Sequence, residues 1–200
     1  MGYSENELPL QLAIDLKRYY PDLVRFYQNR LYTFAYRLTG SPQDAEDIVQ
    51  EAFIGAYVSL RRYPLQRIQA LKLRSWLYRV TLNVFSLHAR RTRMHMVPLD
   101  LCEESQLLAM EESEDQRPEA LIEQQEHRKE LEVMVASLPE RYRIALTCYY
   151  FECMNYQEVA ELLDQPVGTV KSTISRGVCL LRNLLKEADQ EGGSRSHEVP

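Results

Sequence analysis

Thr169, Lys171, Ser172, Thr173, Ser175 and Arg176 follow one another closely, and no acid interrupts the chain between them and Glu187. Short hydroxyls and cations of this kind suit phosphate oxygens and base edges rather than bond breaking. They act together only if one rigid helix presents them. Val170, Ile174, Leu181 and Leu185 recur at helical spacing and are expected to point inward, which leaves the polar set on or near the outer side. Ahead of them, Asn155 and Glu158 have the spacing of a capping box, and Val159, Ala160, Leu162 and Leu163 give the helix that follows an apolar side. Pro166 cannot continue that helix but suits the first turn of the next one, where its missing N–H would have had no partner. The segment Asn155–Leu185 therefore predicts a helix-turn-helix, a device that lays its second helix in the DNA major groove. A solvated helical hairpin would carry the same spacing.

A second set of polar groups lies between Lys72 and Arg91. A helix starting near Leu73 is expected to bury Leu73, Leu77, Val80, Val84 and Leu87, with Trp76, Arg79, Asn83, Ser86 and Arg90 on another side. Cations there would hold phosphates, Asn83 would reach a base edge, and an aromatic ring would support an unstacked base. Trp76 is the weakest member of that side, since a lone Trp at a helix start more often takes a core position. The charge pattern supports nucleic acid. Net charge is −5, yet Ala52 to Leu99 contains no Asp or Glu and nine Lys or Arg, whereas Asp100 to Glu126 contains ten acids against Arg117 alone. A one-signed basic stretch attracts phosphate and gains from counterion release; an ordinary solvated surface mixes both signs.

A third set has a different character. Leu23, Tyr27, Leu31, Phe34, Ala35 and Leu38 form a helical stripe that stops near Gly40; Ser41 is then a candidate N-cap and Pro42 a first-turn residue, with Asp44, Glu46 and Asp47 near the positive end of the helix dipole. In that helix Ala45, Ile48, Val49, Ala52, Phe53, Ala56, Tyr57 and Leu60 mark the core face. Asp47, Gln50, Glu51, Ile54 and Val58 lie off it. Acids mixed with exposed aliphatics suit a protein interface, although a solvated face with stray aliphatics looks alike.

These stretches divide the chain into a helical domain over residues 1–95, an acidic, flexible linker over 96–126, a second helical domain over 127–188 and a disordered tail over 189–200. The expected fold class is all-α. No apolar run is long enough to cross a membrane, and the polar N-terminus has no signal-peptide pattern, so a cytoplasmic location is expected. Cys102, Cys148, Cys153 and Cys179 are scattered and expected to be free, buried thiols. Cys148 and Cys153 with His88 or His95 do not have zinc-motif spacing, and no phosphate-binding Gly loop, HExxH or nucleophile motif marks an enzyme.

Four segments together resemble one family. DAEDIVQEAF (Asp44–Phe53), RSWLYRVTLN (Arg74–Asn83), LPERYRIAL (Leu138–Leu146) and PVGTVKS (Pro166–Ser172) are similar, in order and spacing, to extracytoplasmic-function (ECF) sigma factors of bacterial RNA polymerase. The resemblance implies that the first domain is sigma region 2, which grips core polymerase and opens the minus-ten promoter element. The second would be region 4, a helix-turn-helix reading the minus-thirty-five element, and the linker the acidic connector between them. It implies core-polymerase contacts by Asp47, Gln50, Glu51 and Ile54. It matches Asn83 to the minus-ten element and Lys171, Ser172 and Arg176 to the minus-thirty-five element; the charge and helical-face readings add Lys72, Arg74, Arg79, Arg90 and Arg91 to the first and Thr169, Thr173 and Ser175 to the second. It further implies promoter DNA, core polymerase and an anti-sigma factor as partners, with no cofactor, metal, membrane insertion or enzymatic activity.

The chain departs from the family pattern at several places. Thr173 stands where an Arg is common, and Gly177 and Val178 replace a small residue and a base; a mid-helix Gly costs roughly 1 kcal/mol relative to Ala. Leu65 to Lys72 lacks the usual short loop with Gly or Ser, which implies a differently shaped base pocket. The competing expectation is a stand-alone helix-turn-helix regulator, which leaves the Asp47–Ile54 stripe and the basic first domain without a task.

Overall fold

The computed structural model describes Glu5, residues 7–95 and residues 134–194, with side chains through 91 in the first stretch and through 186 in the second. All regular structure among the described residues is helical. Two compact units divide the chain, Met1–Cys102 and Glu103–Pro200. The acidic linker expected over 96–126 and Cys102 lie outside the described residues.

In the first unit, α1 spans Leu8–Ile14, α2 Leu16–Thr39, α3 Pro42–Arg62, α4 Leu65–Gln69 and α5 Leu73–His95. Local chemistry sets the boundaries. The Asp15 carboxylate accepts from the Arg18 amide at 3.1 Å to start α2, and Gly40, at φ 71°, ends it by donating its N–H to the Tyr36 carbonyl at 2.7 Å. Ser41 Oγ then accepts from the Asp44 amide at 3.3 Å, with Pro42 at the first helical position of α3. The α2 stripe from Leu23 to Leu38 is fully buried, as are Ala45, Ile48, Val49, Ala52, Ala56 and Leu60 of α3. Phe53 and Tyr57 are only half-buried, at the edge where the Tyr20 hydroxyl donates to the Phe53 carbonyl and the Tyr20 and Tyr57 rings meet edge-on at 4.9 Å.

Helix α5 is rotated from its expected register. Leu73 and Leu77 are buried, but the rest of the buried arc runs through Tyr78, Thr81, Leu82 and Phe85, while Val80 and Val84 are half-buried and Leu87 is 52% exposed. The cause is that α5 packs against both α2 and α3. Tyr78 meets Phe34 of α2 edge-on at 4.8 Å, Val80 approaches Gly55 of α3, and the buried Thr81 hydroxyl is satisfied by donating to the Leu77 carbonyl at 2.9 Å.

The second unit has α6 over Glu140–Leu146 continuing into a π-helical turn, Thr147–Phe151, then α7 over Tyr156–Leu163 and α8 over Val167–Ser194. Val135, Leu138, Tyr142, Leu146, Met154, Val159, Leu162, Val170, Ile174 and Leu181 make the core. Leu185 is 41% exposed, contrary to its expected inward position, because the apolar period outlasts the elements that cover α8. Helix α8 also continues past Ala188, where the tail is expected to begin; residues 195–200 lie outside the described residues. Of the cysteines, Cys148 is buried and its thiol is pushed far above its ordinary pKa, first by desolvation and then by Glu152. Cys153 and Cys179 are exposed, correcting the expectation that all would be buried.

Candidate protein and nucleic-acid interfaces

The sequence places three candidate surfaces on α3, α5 and α8. On α3, Asp47, Gln50, Glu51, Ile54 and Val58 are all exposed, Ile54 at 66% and Val58 at 41%. Their common face follows from the helical period: the same turns that bury Ile48, Ala52 and Ala56 turn these outward. Two contacts tie this helix to α5. Glu51 Oε1 lies 3.8 Å from Arg91 Nη1, and Asp44 Oδ1 lies 3.7 Å from His88 Nε2. The Glu51–Arg91 pair is exposed and contributes at most about 1 kcal/mol. Its consequence is placement, with a candidate polymerase residue beside a candidate DNA residue.

On α5, Asn83, Arg79, Arg90 and Arg91 are exposed, as are Lys72 and Arg74 at or before its start. Arg79, Asn83 and Leu87 succeed one another at i, i+4 intervals, so an aliphatic side chain shares the polar face. Trp76 is half-buried, between its two expected placements, and meets Tyr63 edge-on at 6.1 Å. The Arg67 guanidinium stands 3.8 Å over the Tyr63 ring. Neither Tyr63 nor Arg67 is singled out by the sequence pattern. Over Leu65–Gln69 the chain forms the short helix α4, whose single buried residue is Ile68.

The helix-turn-helix is assembled as its caps predict. Asn155 Oδ1 accepts from the Gln157 and Glu158 amides at 2.9 and 3.0 Å, and Glu158 Oε2 accepts from the Asn155 amide at 2.8 Å. Asp164 takes a left-handed conformation, φ 52°, and the Gln165 amide donates back to the Ala160 carbonyl at 3.0 Å, which ends α7. Pro166 stands immediately before the first residue of α8, and its carbonyl accepts from the Val170 amide at 3.1 Å.

On α8, Thr169, Lys171, Ser172, Ser175 and Arg176 are exposed and Thr173 is half-buried. The Ser172 hydroxyl donates to the Thr169 carbonyl at 2.8 Å, which leaves its oxygen lone pairs facing out as acceptors. Lys171 Nζ lies 5.5 Å from the centroid of the Tyr156 ring, and that ring stacks on Tyr149 at 4.7 Å, with Tyr150 edge-on to Tyr149 at 4.9 Å. The aromatic run Tyr149, Tyr150, Phe151 followed by Tyr156 is the sequence signal for this cluster. Among the described residues no group of three or more His, Cys, Asp or Glu could hold a metal ion, and no helix is long and apolar enough to cross a membrane.

Comparison with known proteins gives a concordant result. Residues 23–94 match sigma-70 region 2 and residues 128–178 match sigma-70 region 4. The chain is 32% identical over 176 residues to the ECF RNA polymerase sigma factor SigW of Bacillus subtilis, covering 84% of this chain and 89% of that one. It is 34% identical over 173 residues to the ECF sigma factor SigE of Mycolicibacterium smegmatis, covering 85% of this chain and 63% of that relative, which is therefore substantially longer than the matched part. Solved structures that share the fold include two complexes. They are CnrH in complex with the cytosolic domain of CnrY (TM-score 0.63, 21% identity, covering 92% of this chain and 97% of that one) and the sigma factor RpoE in complex with the anti-sigma factor NepR from Bartonella quintana (TM-score 0.61, 20% identity, covering 83% and 96%). With region 2 and region 4 matched in order along one chain, the protein belongs to the ECF RNA polymerase sigma factors.

Proposed function

We propose that this protein binds bacterial core RNA polymerase and directs promoter recognition and transcription initiation, and that it works in the cytoplasm without catalysing a reaction of its own. The observation that carries this reading is the coexistence, in one chain, of the exposed acid-and-aliphatic face of α3 with the polar row of a helix-turn-helix. A DNA-binding regulator acting alone has no use for the first.

The residue roles follow the surfaces. Asp47, Gln50, Glu51 and Ile54 dock on core polymerase, the two carboxylates giving orientation and Ile54 the desolvated contact. Lys72, Arg74, Arg79, Arg90 and Arg91 hold minus-ten phosphates, while the exposed amide of Asn83 pairs with a base edge. Thr169, Lys171, Ser172, Thr173, Ser175 and Arg176 meet the minus-thirty-five duplex. Residues 1–95 serve as the first module, 96–126 as the connector and 127–188 as the second. The CnrH and RpoE structures are each a complex with a second protein, an anti-sigma factor in the case of RpoE; a corresponding anti-sigma partner is proposed here.

Titration of core polymerase with the Asp47→Lys, Glu51→Lys double variant tests the assignment. Both side chains are exposed, so helix content and thermal stability should stay near wild type while core affinity falls at least about tenfold, the loss of two oriented charges. Unchanged affinity would reject the α3 surface.

A further inference from the structure

Helices α1 and α4, seven and five residues long, are too short to hold themselves in water and pack against each other. Leu8, Leu12 and Ala13 are buried on α1, and Ile68, 3% exposed, is the buried residue of α4. Helix α1 also packs on α2, where the chain ahead of it is tied down by Glu5. The Glu5 carboxylate accepts from the Tyr27 hydroxyl at 2.7 Å and lies 3.4 Å from Arg30 Nη1. The position of α4 is thus set from the long helix α2 through α1. Helix α4 carries Arg67 over the Tyr63 ring, which meets Trp76, and it leads directly into Lys72 and Arg74. The matched region 2 begins at residue 23, inside α2, so α1 lies ahead of it.

We infer that α1 is a positioning element for minus-ten recognition: it holds α4, and through it the Arg67–Tyr63–Trp76 cluster and the first turn of α5, in the geometry that meets the opened promoter strand. The inference rests on the proposed assignment of α5 to the minus-ten element. Leu12, 1% exposed, is a positioning residue that acts through α4 rather than by touching DNA. Short mutually supporting helices are a natural place for this control, because losing one buried side chain frees both while the α2–α3–α5 core keeps its own contacts.

The test compares wild type, Leu12→Ala, Leu12→Met and Glu5→Ala as reconstituted holoenzymes on promoters with a randomised minus-ten element, alongside core affinity and unfolding midpoint. Leu12→Ala should flatten the base preference by about tenfold at its strongest position, the scale of one good base contact. Glu5→Ala should flatten it in the same positions by less, Leu12→Met should restore the profile, and core affinity should stay within about twofold throughout. A uniform fall in transcription with the profile intact, or a fall matched by equal loss of core affinity, would overturn the inference. Should Leu12→Ala not fold, Glu5→Ala decides alone, an unchanged profile being the contrary result. Absence of any promoter-specific transcript with the wild-type protein overturns the sigma reading itself, and with it this inference, and is recognised because it needs no variant.

Discussion

Lys171 shows what one side chain contributes and how much of its environment comes from elsewhere in the unit. Its ammonium lies 5.5 Å from the Tyr156 ring, which is braced by Tyr149. An exposed cation–π contact contributes about 0.5–1 kcal/mol, so Tyr156→Leu should weaken binding to a minus-thirty-five duplex by about two- to fivefold, whereas Tyr156→Phe keeps the ring and the affinity. Anisotropy titrations should show the Leu effect vanish in a Lys171→Ala background; an equal loss there would contradict the arrangement. Asn83 gives a separate test. Its side chain is exposed and outside the core, so Asn83→Ala should leave the unfolding midpoint in place while relaxing preference at one minus-ten position by about 1–3 kcal/mol. A lowered midpoint with unaltered preference would make it a structural Asn. The outward polar rows on α3 and α8 were legible in the sequence because a helix repeats every 3.6 residues wherever it sits. The Tyr149–Tyr156 stack was not, since the aromatic run marks its members but their pairing forms between the π-helical turn and the next helix, which helical periodicity does not encode.

Among the elements, α8 shows tertiary packing reversing a local preference. Gly177 looks like a defect by helix propensity, and alanine there would gain roughly 1 kcal/mol. Yet a Cβ at Gly177 would stand 3.0 Å from Leu146 Cδ1 and 3.4 Å from Tyr142 Cβ, and Leu146 is fully buried. Overpacking a core costs about 1–3 kcal/mol, so Gly177→Ala should lower stability on balance, by about 1 kcal/mol in denaturant unfolding. A gain in stability would mean that α6 yields to the added methyl group. The same contrast explains which elements could be read in advance. Ser41, Gly40 and the Asn155–Glu158 box fix helix ends through neighbours in sequence, and they stand where the residue types put them. The register of α5 depends on being covered by two helices at once, which turned the buried arc to Tyr78, Leu82 and Phe85. Helices α1 and α4 went unseen because each exists through the other rather than through its own propensity.

Across the whole molecule the net charge of −5 conceals the design, since the basic stretch from Ala52 to Leu99 and the acidic stretch from Asp100 to Glu126 cancel. Segregation of this kind suits a protein that must hold promoter phosphates with one part and avoid them with another. The family could be read from four short motifs because their order and spacing constrain one another, while the promoter sequence depends on base contacts that the chain alone does not spell out. As a sigma factor, this chain is expected to confer promoter specificity on a core polymerase that lacks it. Run-off transcription with bacterial core polymerase and a promoter library is the decisive experiment. Adding the protein should yield discrete transcripts from promoters sharing spaced minus-thirty-five and minus-ten elements, and Lys171→Ala should weaken those that depend on the upstream element. Transcripts that are the same with and without the protein would show that it does not act as a sigma factor.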